Sequence, residues 1–160
     1  PAVADVVRHS AAGWPVQPII VTDVAEKHDA YAAAGAALTK SGTSTLELAL
    51  AGVPMAVTYR VNPLTAALAR RMIQVPHVAM VNLLAGRALV PELLQGDCTA
   101  GLLSQTVLAL LRDGGMAQAQ RDGFRAVLDT LRPPGCLPSE AAAREVLDVL
   151  DQARGNRQAA

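Results

Sequence analysis

Lys40-Ser41-Gly42-Thr43-Ser44-Thr45-Leu46-Glu47-Leu48-Ala49-Leu50-Ala51-Gly52, continuing as Val53-Pro54-Met55-Ala56-Val57-Thr58-Tyr59, is the stretch whose reading decides the fold. Ala36 to Thr39 ahead of it reads as a short strand. Gly42 then leads into a helix over Thr43 to Ala51, closed by Gly52. Pro54 to Tyr59 follows as a strand apolar on both faces, as strands buried inside a parallel sheet are. A strand, a glycine loop, a helix and a second strand in that order make one turn of an α/β fold with a right-handed crossover.

The same alternation extends to both sides. Pro18 to Thr22 is a β-branched run that reads as a strand entering a loop at Asp23. Glu26 to Ala34 is alanine-rich and reads as a helix ended at Gly35. Downstream, Asn62 and Pro63 supply an N-cap and a first helical residue whose missing N–H costs nothing there. That helix runs to about Ile73, and Pro76 blocks its continuation. His77 to Met80 reads as a fourth strand and Asn82 to Arg87 as a loop. Beyond Pro91 the pattern turns wholly helical: one helix capped by Thr99 and ending at Gly114-Gly115, one over Met116 to Leu131, and one from Ser139 to about Arg154. The expectation is a parallel sheet with flanking helices and a helical C-terminal third. Residues 1–132 form the sheet domain, and residues 133–160 a terminal helix joined through Pro133-Pro134-Gly135.

Composition narrows the function. The 160 residues carry 14 basic and 14 acidic side chains, which argues against a general nucleic-acid binder. A hydrophobic share of 51% excludes extensive disorder, and an aromatic share of 2% leaves no surface for stacking bases. Cys98 and Cys136 match no metal spacing and are too few for a disulfide framework, so no metal site is expected and a reducing cytoplasm suits the chain. Met72 to Gly86 is the longest run without Asp, Glu, Lys or Arg, and it falls short of the roughly 20 residues of a spanning helix. Pro1 to Ser10 lacks the apolar core of a signal peptide. The chain opens at Pro1 without a methionine, in mid-pattern, as a piece of a longer protein would.

Ligands of open parallel sheets sit beyond the carboxyl ends of the strands. There the loop after the second strand offers Ser41, Gly42, Thr43 and Ser44 at a helix start, where unpaired N–H groups and the helix dipole favour a phosphate. Glu47 lies one turn further along and could accept two hydrogen bonds from a cis-diol such as ribose. The pattern is equally that of an ordinary helix cap with a glutamate favoured by the dipole. No Walker Gly-x-x-x-x-Gly-Lys is present, which disfavours an NTPase. A second signal is electrostatic: no acidic residue occurs between Leu48 and Pro91, while Arg60, Arg70, Arg71 and Arg87 all fall there. This suits an anionic ligand such as a diphosphate, or an anionic membrane surface. Arg70 and Arg71 read as cover for a helix end, whereas Arg60 and Arg87 follow strand ends. Asn82 could face a sugar or phosphate, or could form an Asx-type turn. His77 reads as a core or rim residue, and His9 and His28 are isolated.

Three segments together carry a resemblance. Lys40 to Met55, Tyr59-Arg60-Val61-Asn62-Pro63-Leu64-Thr65, and Asn82-Leu83-Leu84-Ala85-Gly86-Arg87 with Pro91-Glu92-Leu93-Leu94-Gln95 resemble the lipid-A-disaccharide synthases, in the same order and at similar spacing. They span about the middle third of the chain. The broader pattern is also similar to the donor half of other GT-B glycosyltransferases, including the peptidoglycan N-acetylglucosaminyltransferase. Two positions depart from the family habit: Val81 stands where proline is usual, and Ala88 where glutamate is.

The resemblance implies a Rossmann-like sheet forming the C-terminal half of a GT-B enzyme. The donor would be UDP-2,3-diacylglucosamine and the lipid acceptor 2,3-diacylglucosamine 1-phosphate. Ser41, Gly42, Thr43 and Ser44 would meet the diphosphate, Glu47 the ribose, and the backbone at Ile20 and Val21 the uracil, with Arg60 lining the cleft. Asn82 and Arg87 would stabilise charge near the donor phosphates. The general base would come from an N-terminal domain that is the natural partner of this one. No metal or other cofactor is implied. The enzyme would be cytoplasmic, with a peripheral place on the inner face of the inner membrane compatible with its lipid substrates. A sugar-nucleotide epimerase half, or a non-catalytic α/β interaction domain, would share the same architecture.

Overall fold

The structure is a computed structural model that describes residues 3–66 and 75–158. In chain order its elements are α1 (Ala4–Ala11), α2 (Val24–Ala33), β1 (Ala37–Lys40), α3 (Ser44–Leu50), β2 (Met55–Tyr59), α4 (Met80–Ala85), β3 (Glu92–Leu94), a 3-10 turn (Gln95–Asp97), α5 (Ala100–Arg112), α6 (Gly114–Thr130) and α7 (Pro138–Gln158). Residues 63–66 are also helical, with Asn62 Oδ1 accepting from the Leu64 amide at 2.9 Å. The expected course of that helix to Ile73, with Arg70 and Arg71 on it, lies outside the described residues.

Among the described residues the sheet is β1-β2-β3, parallel throughout, with β2 in the centre. Ala37 pairs with Met55 and Lys40 with Thr58, while Val57 pairs with Glu92 and Tyr59 with Leu94. Met55, Ala56 and Val57 are completely buried, as a central strand covered on both faces requires. Successive side chains alternate across the sheet. Met55 and Val57 join Leu48 and Ala49 of α3, Val81 of α4, and Phe124 and Val127 of α6 in one apolar cluster. Thr58 points the other way and meets Cys98, where the chain enters α5, and α5 packs on β2 and β1. Helices therefore cover both faces, and the mixed α/β expectation holds.

Local chemistry explains most of the boundaries. Asp23, Thr99 and Asp113 cap α2, α5 and α6 by accepting the amides of Ala25, Leu102, and Gly115 with Met116. Gln120 of α6 is buried, and its side-chain amide accepts from Met55 N–H at 2.8 Å and donates to Met55 C=O at 3.2 Å. This pair ties α6 to the start of the central strand without leaving a polar group unpaired. Gly123 lets α6 lie against Leu89, because a Cβ there would fall 2.1 Å from Leu89 Cδ1.

Four expectations are corrected. Pro18 to Thr22 is not a strand: it pairs with none among the described residues, and Ile19 stands 92% exposed. Its β-branched composition is that of a strand, yet composition does not supply a neighbour. His77 to Met80 is not a strand, because the Glu92 carboxylate accepts the amides of Val78 and Ala79 and starts α4 at Met80. Asn82 to Ala85 is accordingly helix rather than loop. Finally, the chain beyond Pro91 is not wholly helical. Glu92–Leu94 is the third strand, entered through Pro91, whose carbonyl accepts from Val57 N–H at 2.8 Å.

Asn82 is the residue whose role changes most. It is completely buried, and its side chain is fully engaged inside the fold. Oδ1 accepts from Leu89 N–H and Val90 N–H, both at 2.8 Å, while Nδ2 donates to Val90 C=O at 2.9 Å and to Glu92 Oε1 at 2.8 Å. An amide has this much hydrogen-bonding capacity and little more. Its side chain therefore braces α4 against β3 rather than facing a sugar or phosphate, and it forms no Asx turn. Replacing Asn82 by Ala would orphan two buried amides and should lower stability by about 3 kcal/mol, read as a fall in the urea midpoint. An unchanged midpoint would contradict the bracing role.

Candidate functional site

Because all the strands run parallel, their carboxyl ends open on one rim. β1 delivers Ser41 to Ser44, β2 delivers Arg60 and Val61, and β3 delivers Gln95. Gly42 has φ +146°, a conformation that side-chain-bearing residues rarely adopt, and it turns the chain from β1 into α3. The turn is pinned twice. Thr45 Oγ1 donates to Gly42 C=O at 2.8 Å, and Ser41 Oγ donates to Val78 C=O across the rim. Thr43, the N-cap, makes no side-chain cap bond. The amides of Thr45 and Leu46 donate to Gly42 C=O at 3.2 Å and Thr43 C=O at 2.9 Å, which leaves the amides of Thr43 and Ser44 without a backbone acceptor among the described residues at the positive end of α3. Ser41 and Ser44 are half-buried and Thr43 is exposed.

Glu47 sits one turn into α3 and is held by α2. Lys27 Nζ lies 2.9 Å from its Oε1, and the Tyr31 hydroxyl donates to its Oε2 at 3.3 Å. Lys27 and Tyr31 are one turn apart on α2, so the two donors approach from one face. The hydrogen bond from Lys27 holds the Glu47 carboxyl below the usual glutamate range. The same bond raises Lys27, and loss of water around the phenol raises Tyr31. Glu47 is therefore ionised and oriented before any ligand arrives. A carboxylate has about four acceptor positions, so two internal donors leave room for hydroxyls of a diol.

The other expected site residues separate. Arg60 is exposed at the carboxyl end of β2, on the rim, and no carboxylate among the described residues pairs with it. Arg87 is exposed too, but its backbone lies toward the opposite end of the sheet. The chain must still pass through Leu89 to Pro91 before entering β3, and Arg87 lines a groove with Met116, Ala119 and Gln120 near the start of β2. The expectation that Arg87 follows a strand end is thus corrected: it follows α4, which carries the chain away from the Ser41 rim. Ile20 is half-buried and Val21 exposed, in the segment that runs along α2 beside Glu26, Asp29 and Ala30.

Three residues were missed in the sequence. Lys27 and Tyr31 have a helical spacing, but their partner is 20 and 16 residues away and no local signal pairs them. Gln95 is a non-glycine residue at φ +48°, and its Oε1 accepts from Val61 N–H at 3.3 Å. The Gln95-Gly96 turn was its only local hint.

The family model described as lipid-A-disaccharide synthetase matches residues 16–146. The lipid-A-disaccharide synthase of Gluconobacter oxydans (strain 621H) is 60% identical over 152 residues, covering 95% of this chain and 37% of the relative. That of Granulibacter bethesdensis is 54% identical, covering 94% of this chain and 41% of the relative. That of Rhodospirillum centenum is 45% identical, covering 94% and 37%. The chain thus spans about two fifths of the length of these relatives. With a match over most of its length that takes in every loop of the rim, the chain belongs to the lipid-A-disaccharide synthetase family.

Proposed function

We propose that this chain is the nucleotide-sugar half of a lipid-A-disaccharide synthase. The complete enzyme transfers 2,3-diacylglucosamine from its UDP derivative to 2,3-diacylglucosamine 1-phosphate, giving the β-1,6-linked disaccharide 1-phosphate and UDP. The observation that carries this reading is the family match over residues 16–146, a span that contains the whole rim. In this reading the amides of Gly42, Thr43 and Ser44, with Arg60, bind the diphosphate, and the Ser41 hydroxyl shapes their loop through Val78. Glu47 takes the ribose, and the backbone at Ile20 and Val21 takes the uracil. Asn82 acts from inside the fold, and Arg87 is given no contact with the donor.

The reaction is a displacement at the anomeric carbon. The acceptor hydroxyl oxygen forms the new bond to that carbon while the bond to the diphosphate oxygen breaks, and UDP leaves with the electron pair. Its developing charge meets preoriented amides and a guanidinium, which act most strongly where the charge is greatest. The hydroxyl proton passes to a base outside this chain. No metal or further cofactor is invoked. The exposed Val146, Leu147 and Leu150 of α7 support docking of that helix on the remainder of the synthase. No helix among the described residues is long and apolar enough to cross a membrane. A cytoplasmic enzyme peripheral to the inner membrane fits its lipid substrates.

Three outcomes test this reading. Calorimetry should show UDP binding in preference to ADP, weakened about tenfold or more by Glu47→Ala, the range for a lost charged hydrogen bond; equal binding of both nucleotides would sink it. The 160-residue chain alone should give no disaccharide from donor and acceptor, and turnover would place the base within it. The last outcome concerns pH. Since Lys27 lowers the Glu47 carboxyl, the part of the acid loss of UDP affinity that Glu47 protonation causes should fall below the ordinary glutamate range. Lys27→Met removes that effect, so the drop should begin at higher pH. Superimposable pH profiles would exclude the coupling.

A further inference from the structure

Gln95 is held in the left-handed region at φ +48°, a conformation that costs a residue with a side chain and that glycine adopts freely. Gly96 follows directly, so a glycine one position earlier would form this turn without strain. The side chain of Gln95 leaves the end of β3 and crosses to the end of the neighbouring β2. There its Oε1 accepts from Val61 N–H at 3.3 Å. The same turn is fastened to β2 a second time, by the contact of Thr58 Oγ1 with Cys98 Sγ at 3.0 Å. The base of the Gln95 side chain is therefore fixed independently of the bond it makes. Val61 is the residue directly after Arg60, the exposed guanidinium of the rim, which no side chain among the described residues holds in place.

We propose that Gln95 is a positioning residue: its side-chain carbonyl clamps the Val61 amide and so fixes the backbone that presents Arg60 to the donor diphosphate. The inference rests on the nucleotide reading above and adds to it the element that orders the cationic loop. The clamp joins the ends of two adjacent strands, and the sheet itself sets the distance it must span.

The decisive variant is Gln95→Gly, which suits the backbone and removes the clamp. In the complete protein, the unfolding temperature should not fall, the Val61 amide should exchange with solvent about tenfold faster, and UDP should bind about tenfold more weakly. Gln95→Glu retains an oxygen that can accept from Val61 and should restore most of the protection and affinity. A merely structural residue would show the opposite pattern, a lower unfolding temperature with unchanged nucleotide affinity. Val61 protection that survives Gln95→Gly overturns the clamp, and unchanged UDP affinity with a freed amide overturns its role in binding. Wild-type protein that binds no UDP overturns the nucleotide reading, and amide exchange then decides the clamp by itself.

Discussion

The side chains of Asn82 and Glu92 meet at 2.8 Å, and the rest of the site is built on that contact. Glu92 opens β3, and its carboxylate takes the amides of Val78 and Ala79, which fixes where α4 begins. Asn82 binds the backbone of Leu89 and Val90, which fixes how the chain returns from α4 to β3. Val78 in turn receives the Ser41 hydroxyl, so the loop after β1 is joined to β3 through an unbroken series of hydrogen bonds. The network works because it is closed. An amide and a carboxylate in a largely dry environment are costly when any valence is empty, and no buried side-chain nitrogen or oxygen among the described residues lacks a partner.

This construction separates two tasks that a sequence motif runs together. The Asn82–Arg87 and Pro91–Gln95 segments belong to one motif, but they relate to the Ser41–Ser44 loop in different ways. Asn82 and Glu92 carry mechanical order inward, Arg87 faces away, and Gln95 reaches back to the rim. Glu47 shows the same division at smaller scale. Its carboxylate is oriented by α2, so the polar groups that would meet a diol are set by packing between helices rather than by α3 alone. Preorganisation of this kind lowers the ordering cost when a ligand arrives.

The strand, glycine loop, helix and strand over Ala36 to Tyr59 were readable because each signal is local. Gly42 turns the chain, apolar residues recur at helical spacing in α3, and a continuous apolar run marks β2. The cap at Thr99 was as plain, whereas Asp23, read as the start of a loop, caps α2. His77 to Met80 could not be read correctly, since a short apolar run suits either strand or helix. The carboxylate that decides between them lies more than ten residues further along. β3 was hidden for a related reason: with Pro91 at its entry and only Glu92, Leu93 and Leu94 in the ladder, it is shorter than any periodicity can reveal.

Within the candidate site, the Ser41–Ser44 loop, Glu47 and Arg60 are residue types that would suit a nucleotide diphosphate. Their grouping followed from parallel topology, which places successive strand ends on one rim. What the sequence alone determined is the α/β class, the family, and the chemistry available at that rim, because these rest on side-chain type and near-neighbour spacing. Only the tertiary structure decided that Asn82 is buried, that Arg87 lies toward the other end of the sheet, that Lys27 and Tyr31 hold Glu47, and that Gln95 clamps Val61. Each of these depends on the direction in which a buried hydrogen bond or a crossing helix carries the chain. Such directions are set by contacts between segments far apart in sequence, which no local pattern encodes.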